Sequence, residues 1–354
     1  MWWIVVSCVN SKPVETYDSA SDSSIIDNNH TEDTSDALDT NTDTGDTRET
    51  GDTTDTIDTS DTTDTEDTSI VEQTIYDAVY LDSDNFWHIQ NNRPWDVSEC
   101  IARASTYTPV LDCTDIDQDM IVDDWENTML SYLHPILILD EQEPFLQDST
   151  GHFAQISRVV YAPTNAMRVD IYIVLAWSKD YGRCGLTAHN GDSERIVLRL
   201  ILENNQPDNY IWTLESLYTA AHEGEVTDAG HIWSGTDMAQ LTYQTDSTTN
   251  YPRLSVFPSE GKHATFGSVS QCENVSFIPC LDEDCAPDNV SNPANWYLLS
   301  DVYNAGEQDF PILNDLTSVG FPGDFAWDGS DFCGGLGGTG CSSPILEKLQ
   351  NSPF

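Results

Sequence analysis

Two groups of side chains in this sequence have the types and spacing to hold a metal ion. In the first, the apolar run from Asp170 to Trp177 ends in Lys179 and Asp180, and His189, Asp192 and Glu194 follow after a loop at spacings of three and two. One imidazole and three carboxylates are the donors of a hard divalent cation, calcium, magnesium or manganese rather than zinc. On a strand Asp192 and Glu194 project from one face, which Ile196, Leu198 and Leu200 continue toward the interior. His189 reads as part of the glycine-containing turn, and Asp180 as the residue across the hairpin. The plainer alternative is a hydrogen-bonded turn that neutralises its own acids.

The second group is Asp115, Asp117, Asp119, Asp123 and Glu126, which stand at positions 1, 3, 5, 9 and 12 of a 12-residue loop. That is the ligand spacing of an EF-hand-like calcium site, with the position-7 carbonyl of Ile121 as a further oxygen. Position 6 is Met120, where a glycine would ordinarily supply a positive φ. A flexible oxygen cage offers structure rather than catalysis. The alternative is an acidic helix start, favoured by the helix dipole.

Elements that could position these groups are mostly strands. Runs at Arg158–Tyr161, Val169–Trp177, Arg195–Leu202, Tyr210–Tyr218, Met238–Tyr243 and Arg253–Phe257 are rich in β-branched and aromatic residues and separated by turn chemistry. Helical spacing is best between Val122 and Leu133. The expected fold is mainly β, an antiparallel β-sandwich over residues 70–354. A short N-terminal helix precedes it, and a loop-rich part pinned by disulfides ends it.

Ahead of that domain, residues 9–69 form an Asp/Thr-rich stalk in which Asp-Thr recurs every three residues from Asp43 to Thr68. With so little apolar surface to bury, the segment is expected to be a disordered, self-repelling spacer. Residues 1–8 are apolar and end in Cys8, which resembles the lipobox of bacterial lipoproteins and implies lipidation of Cys8, a membrane anchor and a bacterial cell envelope location. The eight later cysteines are an even set, the usage of an exported, oxidised chain. Cys100 with Cys113 and Cys333 with Cys341 are the expected local pairs, leaving Cys184 for one of Cys272, Cys280 and Cys285.

Residues 1–69 carry 18 acids against Lys12 and Arg48, so of the net charge of -48 the rest of the chain keeps -32. A domain this acidic repels nucleic acid, which is excluded as a partner.

The motif Trp177-Ser-Lys-Asp180 followed by His189-Asn-Gly-Asp192-Ser-Glu194 resembles the centre of the necrosis- and ethylene-inducing peptide-like proteins. Their strand ends in Lys-Asp and precedes Gly-His-Arg-His-Asp-Trp-Glu. A second similarity is to plant proteins related to vacuolar protein sorting sixty-two, with Tyr218-Thr-Ala-Ala-His222 and Glu260-Gly-Lys-His263-Ala-Thr-Phe266 in the corresponding order. The resemblance covers about residues 115–266, with Ser193 where the motif has Trp and Gly191 where it has His. It implies a secreted sandwich in which Asp180, His189, Asp192 and Glu194 hold a cation used to grip sphingolipid sugar head groups.

The expectation is therefore a surface-tethered binding module for glycan or lipid head groups, dependent on calcium or magnesium, with His222 and His263 as ligand contacts. A metal-dependent hydrolase using His222 or His263 as base is a second expectation, and a structural surface-coat protein a third. No nucleophile elbow or phosphate-binding glycine loop is present.

Overall fold

The computed structural model describes residues 73–149, 151, 153–162, 167–182, 188–223, 228–275, 282–285, 296–297, 303–305 and 348–354. All of them belong to the unit Asp67–Phe354. Cys8, the Asp-Thr stalk, and Cys184, Cys280, Cys333 and Cys341 lie outside the described residues.

The fold is mainly β, and strands are numbered in chain order. The main sheet runs β15 (Tyr303–Asn304), β6 (Phe153–Tyr161), β7 (Arg168–Asp180), β8 (His189–Gln206), β9 (Asn209–Thr219), β3 (Trp87–Asn91), β2 (Asp77–Leu81), with β10 (His231–Ser234) also on β9. The second sheet runs β11 (Tyr243–Thr245), β12 (Pro252–Pro258), β5 (Ile136–Ile138), β14 (Trp296–Tyr297), with β13 (Thr265–Phe266) on β12. The long neighbours β6, β7, β8 and β9 are antiparallel, as alternation and short turns predict. Parallel pairs occur where distant segments meet: β12 with β5, β15 with β6, and β1 (Gln73–Thr74) with β4 (Tyr107–Thr108).

Strand β7 explains why its sequence reads as a continuous apolar run rather than an alternating one. Ile171, Ile173, Leu175 and Trp177 face the main core, where Leu137, Leu254 and Val256 of the second sheet join them. Tyr172, Val174 and Ala176 face outward, yet Leu349 and Phe354 of the C-terminal tail pack over that side. Both faces are therefore dry, the condition under which strands lose their polar positions. Arg199 fixes the tail, pairing with Asp170 at 2.6 Å and lying 4.3 Å above the Phe354 ring.

Two helices precede the long strands. In α1 (Val97–Arg103), Asp96 caps the N-terminus by accepting the Glu99 N–H, the reciprocal spacing that starts helices. In α2 (Asp123–Leu133), Trp125, Met129, Leu130 and Leu133 are buried. Trp125 joins an aromatic group with Trp95, Trp212 and Tyr161, whose centroids are 5.2–6.5 Å apart. Such packing adds roughly 0.5–1.5 kcal/mol per pair beyond burial.

One expected strand is not there. The first half of Met238–Tyr243 belongs to a 3-10 turn, Gly235–Gln240, and only Tyr243 begins a strand. Met238 and Leu241 are both buried, and their spacing of three suits the three-residue period of that turn. Cys100 pairs with Cys113 as expected, and Cys272 pairs with Cys285, so Cys184 joins neither of these.

Candidate functional site

The acidic loop is shaped before any ligand arrives. Met120 at position 6 has a φ of 78°, the left-handed turn expected of a glycine. Asp115 sits at the loop's centre: its Oδ1 accepts the Asp119 N–H at 3.1 Å and its Oδ2 the Met120 N–H at 3.1 Å. Asp119 Oδ1 accepts from Ile121 at 2.8 Å, and Asp123 Oδ1 accepts from Ile116 at 3.1 Å. A bridge between Asp96 and Ile121 ties the loop to the start of α1. Its bonds use the Met120 carbonyl and the Val122 N–H rather than the Ile121 carbonyl. The Cys100–Cys113 disulfide fixes the loop's entry to the same helix.

Asp115, Asp117 and Asp119 each bring an oxygen within 4.8 Å of the others. The buried oxygens Asp117 Oδ1 and Oδ2, Asp119 Oδ2 and Glu126 Oε1 have no hydrogen-bond partner. Glu126 is only 1% exposed. Burial, then repulsion from Asp119, pushes its carboxyl up to about 9. Burial pushes Asp119 up to about 7 and raises Asp117 as well, with Asp115 adding repulsion to each. Unpartnered buried carboxylates are costly, and a hard cation takes oxygen ligands of this kind. Asp115, Asp117 and Asp119 are the residues brought close enough to share one ion; Glu126, expected to close the shell, is buried without a partner for its Oε1 but lies outside that group. Asp123, also expected as a ligand, gives one oxygen to closing the loop.

At the hairpin the structure brings further residues to Asp192 and Glu194. Strands β7 and β8 pair Trp177 with Asp192, Leu175 with Glu194, and Asp180 with His189. His189 is therefore a strand residue rather than part of the turn; its side chain lies outside the described residues. Asp192 and Glu194 do share the core-facing side with Ile196 and Leu198, as expected. Asp180 stands opposite His189 at the end of the hairpin. It lies three residues beyond Trp177, on the opposite face by strand alternation, and its Oδ1 accepts the Gly182 N–H at 2.5 Å. Among the described residues, the hairpin acids form no group of three able to share one ion; only the Asp115 loop does.

Instead, the hairpin acids meet basic side chains. His263 has its Nδ1 3.5 Å from Asp192 Oδ2 and its Nε2 3.4 Å from Glu143 Oε1. His222 lies 2.8 Å from Glu283, which also takes Lys262 at 2.8 Å. Glu194 accepts the His222 N–H at 3.1 Å and has Lys348 Nζ 3.9 Å away. Four carboxylates thus face two lysines and two imidazoles, and the charges cancel when both rings are protonated. Burial alone would lower both histidines, but Glu283 raises His222 to about 9, and Asp192 with Glu143 raises His263 to about 9. Glu283, despite burial, is drawn down to about 2 by His222 and Lys262. Burial lifts Glu194 to about 7.

The histidines differ in what they can touch. The His263 side chain has no exposed surface and stacks on Trp177, centroids 4.1 Å apart and planes 8° apart. It cannot be the ligand contact expected from its sequence context. His222 keeps 20% of its side chain exposed. Both adopt positive φ, 57° and 63°, so each sits on a strained turn. Gly191 has a φ of 70°, a conformation that glycine adopts without strain.

Glu143, Glu283 and Lys348 come from distant parts of the sequence and carry no local pattern. Scarcity is the one signal available: with 13 basic residues against 61 acidic ones, each lysine outside the stalk is worth placing. The sequence matches no family model, no curated protein and no solved structure.

Proposed function

We propose that this chain is an exported, surface-tethered binding module whose β-sandwich carries a calcium or magnesium ion in the Asp115–Glu126 loop and recognises glycan or lipid head groups. The observation that carries the cation reading is the set of four partnerless buried oxygens on Asp117, Asp119 and Glu126. Oxygen donors on a flexible loop favour calcium over the smaller, stricter magnesium. Two disulfides fit an oxidising compartment, and the stalk with a lipid at Cys8 would hold the domain off a bacterial envelope.

Recognition is favoured over hydrolysis because the hairpin histidines are already engaged. Both nitrogens of His263 face carboxylates and its ring is buried. His222 hydrogen-bonds Glu283. Neither is a free base beside an open metal position, which metal-assisted hydrolysis needs. Head-group recognition rests on the motif resemblance around Asp192 and on His222, whose side chain keeps 20% of its surface exposed.

The test is metal analysis of the purified chain, with Asp117→Ala and Asp119→Ala beside it, followed by glycan-array and vesicle binding with and without chelator. One ion per chain, lost in both variants, and chelator-sensitive head-group binding are expected. Absence of a stoichiometric ion would overturn the cation reading. An ion without any glycan or vesicle binding would overturn the recognition reading and leave a structural metal site.

A further inference from the structure

We propose that Asn304 belongs to the cation site as an outer-shell residue, so that the ion bound by the acidic loop also fastens the C-terminal strand β15 to the main sheet. The inference rests on the cation reading and adds a residue and a consequence to it.

Glu126, the twelfth residue of the loop, has a partner far away in the chain. Its Oε2 accepts a hydrogen bond from Asn304 Nδ2 at 3.1 Å, across 178 residues of sequence. Its Oε1 is buried and has no partner, and the charges acting on the carboxylate are those of Asp119, Asp117 and Asp123. One oxygen is therefore left without a partner while the other holds the C-terminal segment. A carboxylate used in this way orients best when both sides are occupied, by the metal on one oxygen and by a hydrogen-bond donor on the other. Outer-shell donors of this kind tune metal affinity by roughly 10–100-fold.

Asn304 is itself 4% exposed and lies in a strand of only two residues at the edge of the sheet. That strand pairs in parallel with β6, Tyr303 opposite Ile156 and Asn304 opposite Ser157, and the Ala305 N–H bonds the Ser157 carbonyl at 2.7 Å. So short a pairing contributes little on its own. Without the ion, the acids of the loop repel Glu126 and leave the carboxylate that receives Asn304 poorly held. With the ion, the carboxylate is fixed and the strand gains a rigid anchor. Because coupling is reciprocal, loss of the Asn304 amide weakens the ion in return.

The experiment uses the full chain. Calcium is titrated calorimetrically into wild type and Asn304→Ala, and amide exchange is followed at Ala305 with calcium or with chelator. The expected result is slower Ala305 exchange in calcium, and an Asn304→Ala chain that still binds one ion with about tenfold lower affinity. Calcium binding with unchanged Ala305 exchange and unchanged affinity in the variant would overturn the clasp while leaving the cation site intact. A wild-type chain that binds no calcium would overturn both. The exchange comparison on wild type alone keeps the test valid if the variant folds poorly.

Discussion

His263 and Asp192 face one another across 3.5 Å inside the protein, with the imidazole stacked flat on the Trp177 indole. The pair gives Asp192, which reads in sequence as a metal ligand, a buried imidazole partner. A protonated ring over an indole face gains a cation–π contribution as well, and Glu143 on the far nitrogen completes a carboxylate–imidazole–carboxylate array.

Stability should therefore fall on the alkaline side. His222 and His263 are raised from 6.5 to about 9, so the folded state binds their protons more tightly than the unfolded chain does. Their stabilisation is complete below pH 6.5 and lost as pH rises through about 9. Glu283, lowered to about 2 from 4.5, has the opposite sign: its contribution is present above 4.5 and lost as pH falls through about 2. Urea midpoints measured in saturating calcium should drop between pH 6.5 and 9.5 by the equivalent of about 2–3 kcal/mol. A midpoint that stays level or climbs over that range would contradict the pairing.

Removing the ring should be worse than discharging it. His263→Gln leaves Asp192 and Glu143 facing each other's vacated partner in a site with no exposed surface, and breaking a buried pair in this way costs about 3–5 kcal/mol. Chemical unfolding should show that loss together with a flattened alkaline slope. A variant with wild-type stability would mean that the two acids find water or protons instead.

What the sequence revealed, and what it hid, divides by the range of the interaction. The long strands, α2 and the Cys100–Cys113 pair are local patterns, and the acidic loop is a local spacing whose weak point, Met120, turns out to adopt the required φ. The hairpin was legible as a place but not as a chemistry. Trp177 and Asp192 pair across the hairpin, yet Glu143, Glu283 and Lys348 stand 49, 91 and 156 residues from Asp192 in sequence. No spacing rule reaches that far, and without them three carboxylates and an imidazole look like a cage in need of an ion. Asp180 is placed across the hairpin by its position at the strand end, and the register puts it opposite His189.

Met120 offers a stabilising substitution. A non-glycine residue in the left-handed region costs roughly 1–2 kcal/mol, and the side chain here is 49% exposed, so little packing is lost on removing it. Part of the gain is offset by the greater freedom of glycine in the unfolded chain. Met120→Gly should be more stable by roughly 0.5–1 kcal/mol in thermal unfolding, with no loss of calcium affinity. Destabilisation by more than that amount would show that the methionine packs against something essential.

The two metal readings separate cleanly by substitution. At a calcium concentration of 100 times Kd, an ion bound only to the folded chain stabilises it by about 2.7 kcal/mol, and the Trp125 indole beside the loop gives a fluorescence signal for the same event. Asp119→Asn should abolish the calcium-induced rise in Tm. In chelator it should be at least as stable as wild type, because one source of repulsion on Glu126 and Asp117 has gone. Asp192→Asn should do the reverse, keeping the full calcium response while losing stability in chelator through the stranded His263. If Asp192→Asn instead removes the calcium response and Asp119→Asn preserves it, the ion belongs to the hairpin and the acidic loop is only a helix start.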